Sequence, residues 1–118
     1  MDEELKQQLI DAGVDVDSGM ERFMGNQELL MRFLRKFPGD DNYSNIISGL
    51  ESGDYETAFR AAHTLKGLCG NLSLTKLQEI VSEQTELLRA EKWEEAKALM
   101  PQVTEVYNTT IEKLAPLL

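Results

Sequence analysis

"AFRAAHTLKGLCGNL", residues 58–72, holds the one histidine of the chain, with a lysine three residues after it and glycines four and seven residues after it. Successive residues of an α-helix turn by about 100°. With Ala58 as zero, Ala62, Leu65, Cys69 and Leu72 all return to within about 40° of it and form one buried stripe. On the same wheel His63 lies at about 140°, Gly70 at about 120° and Gly67 at about 180°, flanked by Lys66 at about 80° and Arg60 at about 200°. The spacing predicts an amphipathic helix over about 54–71 that exposes the imidazole and buries Cys69 as a small core residue.

Gly67 and Gly70 stand at i+4 and i+7 from His63, so their side chains would share its face. Each glycine costs about 1 kcal/mol of helix propensity relative to alanine. Two such losses on one face fit the close approach of another surface above a bare strip of backbone. Arg60 and Lys66, one turn before and after the histidine, make a small cationic island suited to steadying a phosphate. An exposed imidazole with the ordinary pKa of about 6.5 is largely neutral and nucleophilic near pH 7. Attack on a phosphoryl group would yield a phosphoramidate, which retains high transfer potential.

Helical periodicity extends outward in both directions. Leu5, Leu9 and Ala12 before Gly13 predict a short opening helix. A second short helix follows in "VDVDSGMERFMGN", with Ser18 and Glu21 in capping-box register and Gly25-Asn26 as its end. Leu29, Leu30, Phe33, Leu34 and Phe37 form one stripe, and Tyr43, Ile46, Ile47 and Leu50 another, with a kink or break at Pro38-Gly39. Gly53-Asp54 reads as a stop followed by a cap. After "NLSLT", Thr75 and Gln78 suggest a second capping box, and Leu77, Ile80, Val81, Gln84, Leu87 and Leu88 line one face. A last helix runs from Trp93, itself read as core, to Leu114, bent or restarted at Pro101.

No segment alternates as a half-buried strand does. The expected fold is all-α: an antiparallel four-helix bundle over 27–115 with short additional N-terminal helices over 1–26, in a single domain spanning 1–118. The chain has 118 residues, enough for one core. A net charge of −9 argues against nucleic acid as a partner. The lone cysteine forms no internal disulfide, no apolar run reaches the roughly 20 residues of a membrane span, and "MDEELKQQL" is not a signal peptide. A cytoplasmic location is expected.

The run "AHTLKG", Ala62–Gly67, resembles the signature of histidine-containing phosphotransfer (HPt) domains. "GVDVDSGMERFMGNQELLMRFLRKF" and the leucine-rich helix after "NLSLTKL" resemble the elements that flank it in that family, so the similarity covers nearly the whole chain. The resemblance implies that His63 is the phosphoacceptor, on Nε2, that Lys66 stabilises its phosphate, and that Gly67 clears space for docking. It implies a monomeric shuttle between receiver domains, those of response regulators and of a hybrid sensor histidine kinase. The shuttle would lack kinase activity, bind no cofactor of its own and rely on Mg²⁺ supplied by the receiver. The wheel adds Arg60 and Gly70, with Phe59 and Leu68 as rim contacts for the partner. Where the family often has a glycine ten residues after the histidine, this chain has Ser73, a residue able to cap the next helix.

Three other readings compete. A bundle that binds receivers without carrying phosphate would not need His63. The dimerisation helices of a sensor kinase typically follow their histidine with an acidic residue, whereas Thr64 follows here. A di-iron bundle needs paired Glu-x-x-His motifs, which one histidine cannot supply, so no metal site is expected.

Overall fold

Asp2, Asp15, Asn26 and Asp54 each accept a hydrogen bond from the backbone N–H three residues on and so start a helix. The helices they open are α1 (Glu3–Asp11), α2 (Val16–Arg22), α3 (Gln27–Lys36) and α5 (Tyr55–Asn71). Each such cap stabilises by about 1 kcal/mol. The structure, a computed structural model, describes residues 1–118. Its remaining helices are α4 (Asn42–Ser52), α6 (Thr75–Arg89) and α7 (Trp93–Leu114), with single 3-10 turns at Phe37–Gly39 and Ala115–Leu117 and no strand.

Two capping expectations are corrected. Asp15, not Ser18, caps α2; Ser18 is the third helical residue, and its hydroxyl meets that of Ser73 at 3.2 Å. No side chain caps α6, whose cap residue is Leu74, and the Thr75 hydroxyl instead donates to the Ser73 carbonyl at 3.3 Å. The backbone explains both. Ser73 takes a left-handed conformation (φ 55°), which lets Ser73 N–H bond Gly70 O at 3.2 Å and Leu74 N–H bond Cys69 O at 2.9 Å. That pair of bonds is a Schellman motif, and α6 begins immediately after it, leaving no position for a polar cap. Ser73 therefore takes the place of a helix-ending glycine and is not itself a cap.

Short turns at Gly53-Asp54, Leu72–Leu74 and Ala90–Lys92 make α4, α5, α6 and α7 successive antiparallel neighbours. Tyr43 closes α4 onto α7: its ring stacks on Tyr107 at 3.8 Å and its hydroxyl donates to Thr104 Oγ1 at 2.8 Å. The segment at Pro38 is a true break, so α3 and α4 are separate helices. Pro101, by contrast, neither ends nor restarts α7, which is one element of 22 residues. It lies on the exposed face, where the loss of one hydrogen bond costs least.

The core is continuous from α1 to α7 and includes Leu9, Leu30, Leu34, Phe37, Ile46, Leu65, Leu77 and Leu114. Phe33 departs from its expected stripe: it is 41% exposed and packs on Phe23 at 5.5 Å, while Met31 is buried in α3. Trp93 is only half-buried, stacked on Tyr55 at 4.4 Å at the core's margin. Gln84 is fully buried; its Nε2 lies 3.5 Å from Met100 Sδ and its Oε1 has no partner.

Candidate functional site

The site is built on α5. Asp54 fixes the start of this helix, accepting from Thr57 Oγ1 at 2.7 Å and Thr57 N–H at 3.2 Å. These two bonds, the hydroxyl's first, hold its carboxyl below the usual aspartate range. Ala58, Ala61, Ala62, Leu65 and Cys69 make the buried face. Three alanines let α5 sit close to its neighbours. Gly49 of α4 approaches closest, since a Cβ there would lie 2.7 Å from Ala58 N. Desolvation, reinforced by the charge of Asp40, pushes the Cys69 thiol up to about 12. A buried thiol so hard to ionise is not a nucleophile.

His63 is exposed, as the wheel requires. Side-chain hydrogen bonds along α5 are made at Thr57 and Arg60 and none at His63. Its ring packs against Phe59 one turn earlier, with centroids 6.0 Å apart and planes 22° apart. Lys66, half-buried one turn later, has no ion-pair partner. Gly67 is exposed, and a Cβ on it would meet nothing within 4 Å. The outcome is a free imidazole, an uncommitted ammonium group and an open strip of backbone on one side of one helix.

Two expected members of the site are placed differently. Arg60 is exposed and ion-paired with Glu56 across one turn, so that carboxylate offsets part of its charge and Lys66 is the cation of the two without an ion-pair partner. Gly70 does not clear space for a visitor, because a Cβ there would stand 2.8 Å from Gln78 Nε2 of α6. The chain's own glutamine fills the gap. Phe59 and Leu68 are half-buried and pack against the edge of the core.

The sequence reading missed Arg89, whose guanidinium lies 5.1 Å from the centre of the Phe59 ring. A register argument could have found it. Gly70 and Gln78 lie four residues either side of Leu74, and Phe59 and Arg89 lie fifteen residues either side. A tight turn at Leu74 between antiparallel helices brings both pairs level.

Nowhere do three His, Cys, Asp or Glu side chains gather as a metal site would need. No helix is long and apolar enough to cross a membrane.

The family model for the Hpt domain matches residues 28–114, and the chain belongs to that family. Comparison with curated proteins and with solved structures returns no match. Hpt domains are phosphocarriers, and their partners in general are receiver domains of response regulators and hybrid kinases.

Proposed function

We propose that this chain is a phosphorelay shuttle in which His63 is the phosphoacceptor. The observation that carries the reading is an exposed imidazole, free of hydrogen bonds, next to an open Gly67 in an Hpt-family chain. The Nε2 lone pair attacks the phosphorus of a receiver's aspartyl phosphate. The bond from phosphorus to the aspartyl oxygen breaks, and the carboxylate leaves with the electron pair. The imidazole keeps its Nδ1 proton through the step and becomes a phospho-imidazolium. Return to the neutral ring accompanies transfer to the aspartate of a second receiver.

Such transfers depend mainly on alignment and charge compensation. Lys66 stands one turn from His63 and supplies positive charge as the phosphoryl group arrives. Gly67 lets the receiver's rim approach the helix backbone. The chain holds no cofactor and has no kinase activity of its own; the Mg²⁺ this step calls for belongs to the receiver. The shuttle acts as a cytoplasmic monomer.

Intact-protein mass spectrometry at mildly alkaline pH, after mixing with a phosphorylated receiver and Mg²⁺, tests the reading. Wild type should gain one acid-labile phosphoryl group and His63→Gln none. Receiver binding without any gain by wild type would replace the shuttle with an adaptor that docks receivers and carries no phosphate.

A further inference from the structure

An exposed histidine has several side-chain rotamers, and only some of them aim Nε2 outward. Most histidines that act through one nitrogen have the other held by a hydrogen bond. His63 has no such bond. Its ring is instead held by Phe59, at a separation within the range of offset aromatic pairs. Phe59 is itself only half-buried, packed on the core by one side and open on the other. Arg89 reaches it from α6: its guanidinium lies 5.1 Å from the ring centre, within cation–π range. Its other contact is a long one, Nε to Glu86 Oε1 at 3.4 Å on the exposed surface.

The geometry points to Arg89 as a positioning residue for phosphotransfer, acting through Phe59 to hold the His63 imidazole in one rotamer. The inference rests on the reading of His63 as phosphoacceptor. It also changes the role of Phe59, from a rim that touches the partner to a plate behind the reacting ring. Arg89 sits in the last turn of α6, and the charge alone would favour that helix end. Its placement over Phe59 is separate from that effect, so a lysine at 89 should preserve the first and weaken the second. The planar guanidinium stacks on an aromatic face in a way that an ammonium group does not.

The test uses the full chain in five forms: wild type, Arg89→Gln, Arg89→Lys, Phe59→Leu and Phe59→Tyr. Circular dichroism confirms that each is folded. Three-bond couplings of the His63 side chain report its rotamers without any phosphate. Wild type should show one rotamer, Arg89→Gln and Phe59→Leu an average over several, and Phe59→Tyr a return to one. Transfer from a phosphorylated receiver should show kcat lower by about tenfold in the two averaging variants with KM unchanged, since misalignment and not docking is at fault. Arg89→Lys should fall between. A single rotamer in every variant, or a rise in KM with kcat intact, would overturn the inference. Because the couplings need no phosphate, they judge whether Arg89 and Phe59 fix the His63 rotamer separately from whether His63 accepts a phosphoryl group.

Discussion

Gly67 and Gly70, one turn apart on α5, face opposite situations: the Cβ position of the first is open for 4 Å around, and that of the second lies 2.8 Å from Gln78 Nε2. Identical residues on one face thus answer to different neighbours. At Gly67 the space is open; at Gly70 it is taken by this chain's own glutamine.

Gly67→Leu should leave the fold intact and raise helix stability by up to about 1 kcal/mol. The same change should raise KM for a phosphorylated receiver by about tenfold, because the new side chain stands where the proposed docking brings the receiver in. Gly70→Ala meets only the end of a flexible glutamine, which can turn aside, so its stability should stay within about 1 kcal/mol of wild type. Urea unfolding and transfer kinetics on both variants check the contrast, and equal KM in Gly67→Leu and wild type would remove the docking role.

Gly49 is the tighter case. A Cβ there would lie 2.7 Å from Ala58 N and 2.9 Å from Asp54 O, and backbone cannot move aside as a side chain can. Gly49→Ala should force α4 away from α5 and destabilise the bundle by about 2 kcal/mol, as overpacking does, despite the better propensity of alanine. Chemical denaturation measures the sign; a more stable variant would mean that the helices separate at no cost.

The Asp54 cap predicts an acid dependence. Its pKa is lower in the folded state than in the unfolded chain, mainly through the Thr57 hydroxyl. The stabilisation is therefore complete above the unfolded pKa and is lost as pH falls through the folded one. Asp54→Asn keeps a neutral cap and has no such titration. The Tm gap between wild type and this variant should narrow as pH drops through and below the usual carboxylate range. A gap constant with pH would show that the carboxylate's charge contributes nothing.

Met24, Ser73 and Glu91 all hold φ between 55° and 60°, the left-handed conformation that glycine adopts without strain. Glu91 is exposed, and its N–H closes α6 by bonding Leu88 O at 3.1 Å. Glu91→Gly should relieve the conformation and stabilise the protein by about 1 kcal/mol. Ser73→Gly should gain less, since it also loses the hydroxyl contact with Ser18. Thermal or urea unfolding of the two variants gives the order directly.

Much of this was legible in the sequence because it depends on one helix at a time. Periodicity places Ala58, Ala62, Leu65, Cys69 and Leu72 on the buried side and His63 opposite, wherever the neighbouring helices lie. Stops at Gly13 and Gly53 and the break at Pro38 follow from the residues themselves. The capping box assigned to Ser18 failed because Asp15, three residues earlier, accepts from the Ser18 N–H and starts the helix there, which places Ser18 inside the first turn.

What only the tertiary structure decided lies between helices. Arg60 and Arg89 are both arginines on exposed helical surface and each pairs with a glutamate of its own helix, yet only the second also reaches across to a ring on another helix, that of Phe59. Whether a glycine faces solvent or Gln78, and whether a serine caps a helix or ends one, depends on the register that the turn at Leu74 imposes on α5 and α6. Sequence fixes the direction in which a side chain leaves its own helix. Only packing sets what stands there to receive it, because the contact depends on where a second helix is docked and at what level.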